Sequence, residues 1–133
     1  MTVPSVTELR QKKCKPCEGG TPAIPAAQAR DYLQGLEGWE LSEDATLIRK
    51  TYLMKNFMAA VKLIDQIAEI AEAEDHHPDL HLTGYRKLTI ELSTHAIKGL
   101  SENDFILASK IEALPKELKS IPPNRPLDKG GGM

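Results

Sequence analysis

Long apolar runs are missing from this chain. None approaches the roughly 20 residues that a membrane-spanning helix needs, so no membrane segment is expected. Charge of one sign is missing too. A net charge of -2 offers no electrostatic footprint for direct contact with nucleic acid or an anionic membrane. Cysteine is scarce: Cys14 and Cys17 stand alone and make no disulfide framework. The first residues include Glu8 and lack both the apolar core of a secretory leader and an Arg-rich presequence. A reduced, cytoplasmic setting is therefore expected. With 133 residues there is enough chain for one core and too little for two.

What is present divides into three stretches. Residues 1–25 hold Pro4, Pro16, Pro22, Pro25 and Gly19-Gly20 with little apolar periodicity, and read as a poorly ordered extension. Cys14-Lys-Pro-Cys17 lies within it. A structural zinc site would need two more ligands, and a thioredoxin-like pair would need a strand before it and a helix after it. Neither context is evident, so no catalytic role is expected there. Residues 26–114 read as the folded domain, and 115–133 as a Pro/Gly-rich tail, without fixed structure from about residue 120.

Within the domain, 26–36 predicts a short helix with Pro25 at its first turn. The segments 38–42 and 46–54 predict a hairpin about the Ser42–Ala45 turn. Asn56 is a good N-cap for a long helix over 57–74. Its expected inner face is Phe57, Ala60, Val61, Ile64, Ile67, Ala68 and Ala71. Leu63 and Ile70 widen the apolar arc to about half the circumference, more than one sheet contact needs. That leaves either deep burial or contact with another subunit. Residues 80–85 and 88–93 predict a second hairpin. In the latter, Leu88, Ile90 and Leu92 alternate with Thr89, Glu91 and Ser93. Ser101-Glu-Asn-Asp104 resembles a capping box opening a helix to about Leu114. The order helix, hairpin, helix, hairpin, helix predicts an α+β fold: a four-stranded antiparallel sheet with three helices packed on one face.

All four histidines, His76, His77, His81 and His95, lie in one short stretch. Imidazole titrates near neutral pH. Isolated surface histidines are the ordinary case. An adjacent pair at a helix end, with a third past a strand end, is a less ordinary pattern. A metal site needs three or four converging ligands. Pro78 removes the helical geometry between His77 and His81, and adjacent side chains on extended backbone diverge. No metal is therefore expected. General acid–base chemistry needs only histidines around one cleft. Glu72, one helical turn before His76, is placed to orient its ring. No serine or cysteine nucleophile stands convincingly with these groups, which favours proton transfer over covalent catalysis.

Glu72-x3-His76-His77-Pro78, then Tyr85, His95 and Asp104, resembles the signature of the pterin-4a-carbinolamine dehydratases, also known as dimerisation cofactors of a homeodomain transcription factor. Ser93-Thr94-His95 and Gly99-Leu100-Ser101 also look like the family, and the resemblance spans about Ala26 to Leu114. It implies a lyase that removes water from 4a-hydroxytetrahydropterin to give quinonoid dihydropterin, in tetrahydrobiopterin regeneration. The pterin would be the substrate, with no separate cofactor. It implies His76, His77 and His95 as active-site histidines, with His76 and His95 transferring protons and His77 binding the pterin. Glu72, Pro78 and Asp104 would support or bind. It also implies a homodimer or homotetramer, through the 57–74 helix and the sheet edge. The alternative is a non-enzymatic dimerisation, coactivator or assembly factor of the same fold. Two departures stand out. Leu80 occupies a position where many members carry an aromatic residue, and His81 lies outside the signature.

Overall fold

The computed structural model describes residues 3–16 and 22–119. Its four strands are β1 (Glu40–Leu41), β2 (Ile48–Leu53), β3 (Asp79–Thr83) and β4 (Lys87–Leu92). They pair antiparallel in the order β1-β2-β4-β3. The long helices are α2 (Ala26–Leu33), α3 (Phe57–Glu74) and α4 (Glu102–Glu112), as expected.

Strand alternation sorts the two faces of the sheet. The register sets Ile48 beside Leu92 and Tyr52 beside Leu88, and Leu80 beside Ile90. These residues belong to one core cluster with α2, α3 and α4, and Leu88, Ile90 and Leu92 are fully buried. Each such side chain contributes about 1.5–3 kcal/mol by leaving water. The other face carries Arg49 beside Glu91 and Thr51 beside Thr89, whose hydroxyls lie 2.8 Å apart. It is a polar, solvated face. Phe105 of α4 stacks on Tyr32 of α2 at 4.3 Å between ring centroids.

Asn56 caps α3 by accepting from the Ala59 N–H. The buried stripe of α3 is Ala59, Ala60, Leu63, Ile67 and Ala71. That is rotated from the expected face: Leu63 lies at its centre, while Phe57 and Ala68 are exposed. An apolar arc covering half a helix admits either rotation, and only the sheet beneath it selects one.

Two expectations about the ends of the chain need correction. The extension contains a further helix among the described residues, α1 (Val6–Gln11), in addition to the three expected in the domain. Ser5 and Glu8 close a capping box on it, and Leu9 is fully buried against the core. Arg10 Nε donates to the Ser109 carbonyl, and Lys110 Nζ to the Arg10 carbonyl, tying α1 to α4. Nor does the chain leave the fold at residue 115. Lys55 N–H donates to Glu117 O, and Lys119 N–H to Leu53 O, so 117–119 runs beside the end of β2. Lys116 Nζ caps α4 by donating to the carbonyls of Ile111, Glu112 and Leu114. The tail from residue 120, and Cys17, lie outside the described residues. No described helix is long and apolar enough to cross a membrane.

Candidate active site

The site begins where α3 stops. Asp75 takes the left-handed conformation (φ 53°, ψ 43°), and the following His76 N–H donates back to Ala71 O at 3.1 Å. This closes the helix and turns the chain sharply toward β3. Pro78 then keeps His77 from continuing the helix. The two histidines leave in different directions. The His76 side chain is 11% exposed and points inward, while that of His77 is 54% exposed.

His76 meets Asp104, which lies in the first turn of α4. Its Nε2 is 2.7 Å from Asp104 Oδ1. Asp104 is fully buried. Its other oxygen, Oδ2, accepts from Thr94 Oγ1 at 2.8 Å and from the Ser101 N–H at 3.0 Å. Thr94 in turn accepts from Ser101 Oγ at 2.8 Å, since its own hydrogen points to the carboxylate. A buried carboxylate so held accepts only. The proton on the short contact therefore sits on His76 Nε2, which leaves Nδ1 as the accepting nitrogen of the ring. The helix N-terminus adds favourable field for the negative charge.

His95 reaches the same cleft from another part of the chain. It opens a 3-10 turn, His95–Ile97, just after β4. The turn is closed by reciprocal Thr94 and Gly99 backbone bonds, with Lys98 in the left-handed region (φ 53°). His76, His77 and His95 line one open cleft of about 270 Å³, together with Thr94, Asn103 and Lys15. That is near the small end of the range for ligand pockets.

The structure redistributes the supporting roles. Glu72 does not reach His76. Its Oε2 lies 2.7 Å from His77 Nε2, in a solvent-exposed pair. The helix ends at Glu74, so the expected one-turn spacing to His76 has no helix to act on. Pro78 is not among the residues lining the cleft and acts through the backbone. His81 pairs with Glu91 at 3.1 Å on the polar sheet face, away from the cleft. Thr94 and Ser101 hold Asp104, a role that required knowing that β4 and α4 meet. Lys15 escaped the sequence reading because it lies in the stretch expected to be poorly ordered.

A family model described as pterin 4 alpha carbinolamine dehydratase matches residues 22–114. The chain belongs to that family. Among similar pterin-4-alpha-carbinolamine dehydratases is number 2, mitochondrial, of Arabidopsis thaliana. It is 43% identical over 116 residues, covering 85% of this chain and 62% of that protein. A Halorhodospira halophila protein, provisionally named for the same activity, is 43% identical over 106 residues, covering 80% of this chain and 96% of its own. A Brucella melitensis crystal structure, described as a transcriptional coactivator/pterin dehydratase, superposes with a TM-score of 0.65 at 28% identity. It covers 68% of this chain and 96% of that one. Pterin dehydratase family membership thus agrees with the antiparallel sheet and helices seen here.

Proposed function

We propose that this chain is a 4a-hydroxytetrahydropterin dehydratase working by histidine acid–base catalysis. The observation that carries the reading is the convergence of His76, His77 and His95, from two separate parts of the chain, on one cleft. Family membership supports the substrate class. In the proposed step an imidazolium gives its proton to the 4a-hydroxyl, the C–O bond breaks and water leaves. A neutral imidazole takes a ring N–H proton, and the freed pair forms a C=N bond at the 4a carbon. One proton is given and one is taken, so no oxidant or reductant enters. His76 and His95 are assigned the transfers and His77 pterin binding. The product would be quinonoid dihydropterin, within tetrahydrobiopterin regeneration in the cytoplasm.

The test is the dehydration rate of 4a-hydroxytetrahydropterin, followed by ultraviolet absorbance against the spontaneous rate. Acceleration by the wild-type protein that disappears in His95→Ala supports the reading. A folded protein that gives no acceleration refutes it.

Assembly into a homodimer or homotetramer belongs to the same proposal. Phe57 and Met58 at the start of α3 are 50% and 72% exposed, and Leu53 and Leu118 nearby in the fold are 44% and 46% exposed. An exposed apolar group of this kind suits a second subunit. The alternative function, as a dimerisation, coactivator or assembly factor, rests on the same surface. The name of the Brucella protein couples both roles for that protein. Sedimentation of Met58→Glu beside wild type tests the interface: an unchanged mass would exclude it.

A further inference from the structure

The segment that follows α1 runs across the site between the end of α3 and the start of α4. The Cys14 N–H donates to Glu74 Oε1 at 2.7 Å, at the last residue of α3. The Lys15 N–H donates to Asn103 Oδ1 at 2.9 Å, and Asn103 Nδ2 donates back to Lys15 O at 2.5 Å. Asn103 is 7% exposed. Both ends of its carboxamide thus hold the backbone of a single residue. That residue lines the cleft with the three histidines, and also the adjoining cleft beside Lys12 and Ser101.

Asn103 immediately precedes Asp104. The first turn of α4 therefore presents two neighbouring anchors to one cleft: Asp104 for the ring of His76, and Asn103 for the backbone of Lys15. The segment carrying Lys15 lies before the residues matched by the family model. A lysine ammonium offers three donors and no acceptor. A pterin presents a ring carbonyl oxygen and ring nitrogens as acceptors.

We propose that Lys15 is a substrate-binding residue that donates to an acceptor atom of the bound pterin, and that Asn103 is the residue that positions it. The proposal rests on the reading of the cleft as a pterin site. It assigns no proton transfer to Lys15. The bond it makes is present before the reaction as well as during it, so it acts on binding and leaves the chemical step to the histidines.

Steady-state dehydration kinetics of the full chain test this. In Lys15→Ala, KM rises by about five- to tenfold, a loss of up to about 1.4 kcal/mol at tenfold, while kcat stays within about twofold. Lys15→Arg restores most of the loss. Asn103→Ala gives a similar KM rise, and the Lys15→Ala/Asn103→Ala double variant gives no more than either single one, as two residues acting through one contact require. An unchanged KM in Lys15→Ala overturns the proposal, and so does additivity in the double variant. Binding of oxidised biopterin, read by quenching of its fluorescence, separates this from the catalytic reading. If the wild-type protein binds biopterin without accelerating dehydration, weaker binding by Lys15→Ala still supports the Lys15 contact. Equal binding by wild type and Lys15→Ala overturns it, and a folded wild type that neither binds biopterin nor accelerates dehydration overturns both readings.

Discussion

His76 Nε2 and Asp104 Oδ1 lie 2.7 Å apart, although 28 positions separate them in the chain. One residue follows a helix and the other opens the next one. Their contact fixes a tautomer as well as a position, because a buried carboxylate already accepting from Thr94 and Ser101 takes a hydrogen from the ring.

Asp104→Asn should invert that tautomer. The amide oxygen can keep the Thr94 and Ser101 donors, which turns the amide N–H₂ toward His76 Nε2. The ring must then accept there and carry its proton on Nδ1. Removing the correctly placed base should lower kcat by about a hundredfold or more. Nitrogen-15 chemical shifts of the His76 ring report the tautomer, and dehydration kinetics the rate. An unchanged tautomer would remove the explanation.

Replacing the histidines should separate stability from activity. His76→Ala leaves the buried Asp104 carboxylate short of a donor, at a cost of about 1–3 kcal/mol in urea unfolding. His95 is exposed, and His95→Ala should stay within about 0.5 kcal/mol of wild type. Both should lose activity. For this reason His95→Ala is the cleaner probe of chemistry.

Acid should weaken the fold through Glu112 and Glu74. Burial raises the Glu112 carboxyl, but hydrogen bonds from Lys50, Tyr52 and Trp39 outweigh it and hold the group below its ordinary value. Burial also raises Glu74, and the Cys14 N–H with the Lys110 and Lys13 ammonium groups outweighs that. A carboxyl with a depressed folded pKa stabilises above its unfolded value, 4.5 for both groups. That contribution fades as pH falls through the folded values. Unfolding measured from pH 7 downward should show stability falling below about pH 5. Glu112→Gln should flatten that fall, and an equal slope would show that Glu112 does not carry it.

Cys14 should be unreactive. Its thiol is pushed up to about 12, first by burial and then by the nearby Glu74 carboxylate. In a Cys17→Ser background, alkylation by iodoacetamide at pH 8 should run on the order of a hundredfold slower than for a free thiol. Rapid labelling would contradict the burial seen here.

Strong, local patterns were legible in the sequence, and contacts between distant segments were not. The alternation of Leu88, Ile90 and Leu92 and the Asn56 cap placed β4 and α3 with their correct bounds to within a residue. The short α1 was hidden among prolines and glycines, although Ser5-x-x-Glu8 carries the spacing of a capping box. Glu72 was assigned to His76 by helical spacing, and the left-handed turn at Asp75 gives it to His77 instead. The histidines themselves stood out by number and by their family pattern. Their convergence with Lys15 depends on a segment that has no periodicity to read.

The most direct test of the central claim is the rate of 4a-hydroxytetrahydropterin dehydration by wild type and His95→Ala, each shown to be folded by circular dichroism. The account predicts clear acceleration by wild type and a near-spontaneous rate with the variant. Equal rates for the two proteins, or a folded wild type with no acceleration, would contradict it.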